Sequence, residues 1–289
     1  MEILRLHPLA QCELARHSSR FIDALFEGSF STSNDPRLQD NLIERILAGG
    51  YPAALVRSTA RRRTHWYRDY IETLVQRDVR ELSRIRRLDA LPRLLSLAAG
   101  QTAQLLNISD LAAPFQVSRP TIRDYFTLLE QIFLLEVLPP WHSNRIKRLI
   151  KTPKLHLGDT GLVAAITGLT SEALKKDRSA LGHLLETFVF QEIQRQASGH
   201  VDDFRFHHFR NKDGAEVDLV IERGVDQVAG IEVKASATVR SSDFRGLRQL
   251  KTAVGKQFTT GVVLYDGESC VRFGEGLYAV PVRLLWETR

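Results

Sequence analysis

The sequence predicts an α+β / α/β multidomain protein: a helical amino-terminal part, a small helix-turn-helix unit, and a carboxy-terminal α/β unit built on a central mixed sheet. Three observations lead there. The 289 residues exceed what one compact core commonly organises. Apolar residues recur at spacings of three and four through the first hundred residues, the period of amphipathic helices. After residue 181 the pattern changes to short alternating runs separated by helical stretches. The expected units are 1-100, helical; 101-156, helix-turn-helix; 157-180, a connector; and 181-289, α/β.

Composition narrows the functional classes. Forty basic against thirty-four acidic residues leave a net charge of +6, and 31 of the forty are arginine, the side chain best shaped to grip phosphate with two donors. An anionic partner is expected. Cys12 and Cys270 stand far apart in no ligand spacing, which argues against a disulfide framework and a zinc site. The opening "MEILRLHPLAQ" lacks the apolar stretch of a signal peptide, and no run approaches the roughly 20 apolar residues of a membrane span. A soluble cytoplasmic protein without membrane contact is expected.

From about 36 to 97 the chain reads as helices punctuated by Pro92 and Gly100. Arg57, Arg61, Arg62 and Arg63, then Arg84, Arg86 and Arg87, gather positive charge there. Two readings are open. The arginines form a solvated face paired along the helix with Asp69, Glu72, Asp78 and Glu81, or they bind phosphate.

"NISDLAAPFQVSRPTIRDYFTLLEQIFLLEVLPPW" has the layout of a winged helix-turn-helix. Asn107 or Ser109 caps a short helix, Phe115 and Val117 fill the turn, and Ser118 caps a second helix with Pro120 at a tolerated early position. Ile122, Tyr125, Leu128 and Leu129 are expected in the core, with "IFLLEVLPPW" as the first wing strand. If the unit binds DNA, Arg119, Thr121 and Arg123 enter the groove, and Arg145, Lys147, Arg148, Lys151 and Lys154 hold phosphate. Winged helices also act as protein-protein lids, and Asp124 and Glu130 mix the charge of the second helix.

"KLHLGDTGLVAAITGL" predicts a strand, a turn in which Asp159 and Thr160 satisfy backbone donors, and an apolar helix. The polar "TSEALKKDRSA" behind it reads as a loop at a domain boundary. Then come the helix "GHLLETFVFQEIQRQAS", the strands "DDFRFHHFR", "AEVDLVIER" and "VAGIEVKAS", the helix "SSDFRGLRQLKTAVG" capped by Ser241 or Ser242, the strand "FTTGVVLYD", and the closing "LYAVPVRLLW".

Strand alternation builds a candidate site. It groups Glu216, Asp218 and Val220 on one face against Val217, Leu219 and Ile221 on the other, and it pairs Glu232 with Lys234. A tight return through "RGVDQVAG" brings Asp218 opposite Glu232 and Lys234. Two carboxylates and a backbone carbonyl suit magnesium, or manganese, as a hard cation that takes oxygen ligands. Lys234 would orient or deprotonate a water or neutralise developing charge, with Glu186 as an added ligand or supporting base. The same groups on a solvated hairpin face would need no metal. His207 and His208 are adjacent on a strand and so point to opposite faces, which argues against a histidine metal site.

At Asp218, at Glu232-Val233-Lys234, and at Glu186 in "LLETFVFQEI", the sequence resembles the PD-(D/E)XK phosphodiesterase superfamily, which implies a restriction-endonuclease-like α/β domain over 181-289. More widely, "HPLAQCEL", "GGYPAAL", "YIETLVQRDV", "KTPKLHLGDTGL", "GHLLETFVFQEI", "FRNKDGAEVDLVI" and "IEVKAS" resemble the region that follows the ATPase domain in a family of bacterial and archaeal AAA-type ATPases. That region has no settled function. In the family a P-loop domain precedes the "LHPL" segment, where this sequence has "MEILR". No G-x-x-x-x-G-K-[ST] occurs, so no bound nucleotide and no ATP hydrolysis by this chain alone are expected. The expectation is a DNA-binding, Mg-dependent phosphodiesterase. The rivals are a nuclease fold that binds without cutting, and an adaptor that docks an ATPase on another chain.

Overall fold

A computed structural model describes residues 5–82, 90–115, 118–142 and 152–289. Arg84, Arg86, Arg87, Val117, Arg145, Lys147, Arg148 and Lys151, and the side chains of Asp78 and Glu81, lie outside the described residues.

The helical segment breaks where its sequence lacks helix formers. Helices α1 (Gln11–Leu14), α2 (Phe21–Glu27) and α3 (Asp40–Ala48) precede α4 (Pro52–Leu55), which opens on a proline that has no N–H to lose. The long α5 (Ala60–Leu82) and α6 (Ala90–Gly100) follow. Arg61 and Arg62 are exposed on α5, and among the described residues no ion pair joins Arg57, Arg61, Arg62 or Arg63 to Asp69 or Glu72. Of the two readings of this face, the paired one has no support among these residues.

A three-stranded antiparallel sheet comes next, in the order β2 (Gln104–Leu105), β4 (Lys154–Leu157), β3 (Leu135–Leu138). Between β2 and β3 stand α7 (Ile108–Ala112) and α8 (Arg119–Gln131). Asn107 caps α7 through Ser109 N–H, and Ser118 caps α8 through Thr121 N–H, with Pro120 in the first turn. Ile122, Tyr125, Leu128 and Leu129 are buried as their spacing requires, and Phe126 joins them.

Residues 157–180 are packed structure rather than a connector. Helix α9 (Thr160–Thr167) is apolar and mostly buried, and "TSEALKK" forms α10 (Ser171–Lys176) because Thr170 caps it and Leu174 anchors it in the core. Asp159 ties this region to the amino-terminal part. It is fully buried and caps α9: Oδ1 accepts from Gly161 N–H at 2.8 Å and the Tyr67 hydroxyl at 3.0 Å, and Oδ2 from Gly50 N–H at 2.8 Å and Arg195 Nη2 at 2.9 Å. Glu192 sits beside it, its Oε2 accepting from Gln11 N–H at 2.8 Å.

The carboxy-terminal part follows α11 (Arg178–Ser198) with β5 (Phe204–Arg210), β6 (Glu216–Arg223), β7 (Gln227–Lys234), α12 (Arg245–Val254), β8 (Phe258–Tyr265), β9 (Ser269–Gly274), β10 (Leu277–Pro281) and α13 (Leu284–Glu287). With β1 (Ser33–Asn34) these strands form a mixed seven-stranded sheet in the order β1-β9-β10-β8-β7-β6-β5. Pairs β7–β8 and β8–β10 are parallel, and the others antiparallel. Strand β9 and the edge strand β1 were not foreseen, since "SCVRFG" is short and β1 joins from more than two hundred residues away. Neither Ser241 nor Ser242 caps the helix after β7. The Asp243 carboxylate accepts from Arg240 N–H, and a short 3-10 turn leads into α12.

One apolar core runs from Ala10 to Trp286 across both sheets and most helices, and a second lies between α12 and the far face of the large sheet. The expected units therefore share a core. A register shift between His207 and Phe209 in the β5–β6 pairing disturbs alternation in β6. Val217 packs in the second core while Leu219 and Ile221 pack in the first, so the expected grouping of all three on one face fails at that bulge.

Candidate active site

Helix α11 starts sharply because Asp177 accepts from both Ser179 and Ala180 N–H, which fixes where Glu186 falls along it. Strands β6 and β7 pair from Arg223↔Gln227 as far as Leu219↔Ile231 and then separate. Asp218 stands where they part. Its Oδ2 accepts from Val233 N–H at 2.9 Å, so a carboxylate replaces the missing ladder partner. Gly246 of α12 allows this part of β6 to be approached closely, since a Cβ there would lie 1.7 Å from the Glu216 carbonyl oxygen.

The other Asp218 oxygen, Oδ1, accepts from Lys154 Nζ at 3.0 Å. The same ammonium lies 2.7 Å from Glu186 Oε1 and 3.1 Å from Glu216 Oε1. On β7, Lys234 Nζ donates to Glu232 Oε1 at 2.7 Å, while Glu232 Oε2 is buried with no hydrogen-bond partner. Four carboxylates thus face two ammonium groups.

Burial and crowding set their protonation. Burial, then the negative charge of Asp218, pushes the Glu186 carboxyl well above the usual glutamate range despite Lys154. The same two causes push Glu232 up to about 8, against the pull of Lys234. Burial alone would lower Lys154, but Asp218, Glu186 and Glu216 together hold it above the ordinary lysine range. For Lys234 burial is likewise outweighed, by Glu232 and Asp218.

Glu186, Asp218, Glu232 and Lys234, expected together, are brought together from α11, β6 and β7. Lys154 was expected on a phosphate-binding surface. It is instead 3 % exposed, with its ammonium enclosed by carboxylates, because β4 is buried along its whole length. Glu216 was not proposed for the site, although its shared parity with Asp218 was the signal that could have found it. Arg119 and Arg123 are exposed at the start of α8, and Thr121 is half-buried beside the cap. His208 lies behind the cluster, its ring lowered to about 4 by burial and by Lys154.

The donor set fits a hard divalent cation in chemistry, since it is all oxygen and Glu232 offers a buried acceptor without a partner. As arranged, however, no group of three or more metal-ligating side chains among the described residues is disposed to hold an ion. The Lys154 ammonium fills the middle of the carboxylates.

Fold and site together define an α/β protein with a mixed seven-stranded sheet and a buried carboxylate–lysine cluster at the point where two of its strands part. Residues 39–173 match a family described as Domain of unknown function (DUF8612), and residues 181–285 one described as Domain of unknown function (DUF4143). Uncharacterized proteins Mb2031c of Mycobacterium bovis and Rv2008c of Mycobacterium tuberculosis are each 26 % identical over 236 residues, covering 81 % of this chain and 51 % of theirs. The chain spans about half the length of these curated relatives. A half-complex of Thermococcus gammatolerans McrB AAA+ hexamers with bound McrC is similar at 12 % identity and a TM-score of 0.27, over 68 % of this chain and 72 % of that one. No helix among the described residues is long and apolar enough to cross a membrane.

Proposed function

We propose that the cluster is a magnesium- or manganese-dependent phosphodiesterase site of the PD-(D/E)XK kind, in a cytoplasmic DNA-binding protein that works beside an ATPase. The observation that supports it is the convergence of Glu186, Asp218, Glu232 and Lys234, from one helix and two strands, on one partly buried spot. Asp218 and Glu232 are the ligands, with Glu186 behind them. A bound divalent ion would supply a more acidic water and charge stabilisation at phosphorus. Within the chain, Asp218 is held in place by Val233 N–H, and Lys234 is held by Glu232. The Lys234 side chain is about one-third exposed, which supports a role in meeting a phosphate oxygen arriving from solvent.

DNA contact is supported by the first turn of α8, where Arg119 and Arg123 are exposed, and by the exposed Arg61 and Arg62 of α5. The strand, two helices and hairpin of the small sheet have the order of a winged helix, which supports that reading of residues 101-156. The ATPase partner rests on the sequence resemblance. A second reading, a nuclease fold that binds without cutting, is favoured by the three carboxylates already engaged by Lys154.

The test is a DNA-nicking assay with manganese, alongside filter binding at several salt concentrations, for wild type, Asp218→Ala and Glu232→Ala. Nicking by the wild type that both variants lose is expected. Salt-sensitive DNA binding with no nicking in any protein would replace the first reading by the second.

A further inference from the structure

We infer that the Lys154 ammonium and a divalent cation are alternative occupants of one position, so that Lys154 keeps the carboxylate site closed until it is displaced. This rests on the metal-site reading above. The ammonium donates to Glu186 at 2.7 Å and Asp218 at 3.0 Å and forms an ion pair with Glu216 at 3.1 Å. These carboxylates include Asp218, one of the two ligands of the metal-site reading, and Glu186, the group placed behind them. Lys154 is 3 % exposed, so the position is dry, and like charges at contact distance repel strongly there. The two cations cannot share it.

A second observation points to a ligand rather than to a finished salt bridge. Glu232 is 9 % exposed, yet its Oε2 is buried without any partner. The negative charge of Asp218 acts, after burial, to raise the Glu232 carboxyl, so the two carboxylates are near each other. Lys154 satisfies three of the four carboxylates and leaves this one, as a stand-in cation of smaller charge and fewer contacts would.

The lysine is also delivered from elsewhere in the chain. Strand β4 belongs to the small sheet, and it is seated on α11 by a 3.0 Å contact between His156 Nδ1 and the Thr187 hydroxyl and by the Gln191 amide, which donates to the Leu157 carbonyl. The occupant and the carboxylates therefore sit on different elements, Lys154 on β4, Glu186 on α11, and Glu216 and Asp218 on β6.

The test uses the full chain. Manganese is titrated by calorimetry into wild type, Lys154→Met, Lys154→Met/Glu186→Gln, and each lysine variant carrying Asp218→Asn as well. The Glu186→Gln member relieves the uncompensated charge that could prevent Lys154→Met from folding. At least tenfold tighter manganese binding without Lys154, lost again with Asp218→Asn, is expected, together with a melting temperature that manganese raises in the variants and leaves unchanged in wild type. Equal affinity in wild type and variants would overturn the displacement while leaving the metal-site reading intact. No binding in any protein would overturn both. Tighter binding that survives Asp218→Asn would mark an unrelated surface site and also overturn it. Trace acetic anhydride labelling of wild type provides a measurement that needs no variant. Lys154 should be protected without manganese and labelled at saturating manganese, and protection under both conditions would refute displacement.

Discussion

Asp159→Asn perturbs the clasp that joins Gly50, Tyr67, α9 and α11, and its effect can be worked from the contacts. Both carboxylate oxygens are in use, one facing Gly161 N–H and the Tyr67 hydroxyl, the other Gly50 N–H and Arg195 Nη2. Asparagine has one acceptor oxygen, so whichever way the amide turns, its NH2 group faces a backbone N–H. That leaves one buried donor unsatisfied, at a cost of about 1–3 kcal/mol. The neutral amide also weakens a buried ion pair, for which removal of one partner costs about 3–5 kcal/mol. Arg195 keeps the Leu9 carbonyl at 3.1 Å and Glu192 at 3.3 Å, so the combined loss should fall at about 3–5 kcal/mol rather than at the full sum. Urea unfolding followed by tryptophan fluorescence measures it, through Trp66, edge-on to Tyr67, and Trp286 buried against Phe188. A loss below about 1 kcal/mol would refute the clasp, because even one orphaned N–H should exceed that.

Glu192 is pushed up to about 7, first by burial and against the pull of Arg195. Its carboxyl is therefore raised relative to the unfolded chain, so its contribution is fully present below the ordinary glutamate range and is lost as pH rises to about 7, by about 3 kcal/mol in all. Glu192→Gln should remove that part of the slope. Stability measured from pH 4 to 8 should fall less steeply in the variant, and parallel curves would show that Glu192 does not titrate as described. Gly246→Ala places a Cβ 1.7 Å from the Glu216 carbonyl oxygen, which forces α12 away from β6 at about 1–3 kcal/mol. Chemical denaturation should show that loss, with faster amide exchange in β6 around Val217. Unchanged stability and exchange would mean that the helix does not press on the strand there.

Much of the architecture was legible in the sequence because local rules governed it. The caps at Asn107 and Ser118, the body of helix α11, the strands β5 to β8 and the buried set Ile122, Tyr125, Leu128 and Leu129 all follow from side chains acting on their own few neighbours, whereas the Asp177 cap fell in a stretch read as a loop. The residues Glu186, Asp218, Glu232 and Lys234 could be nominated because alternation and order place them, and the structure gathers them. What the sequence could not decide were effects that depend on distant chain segments or on single-residue slips. The bulge in β6, where three residues run against two of β5, reverses the side on which Val217 lies, and no local pattern in "EVDLVI" announces it. Edge strand β1 and the shared core arise from contacts across most of the chain. Above all, Lys154 reads as one more surface base in "KTPKLHL", and only the burial of β4 against α11 turns it inward. A buried ammonium must then find carboxylates, and Glu186, Glu216 and Asp218 are the ones within reach.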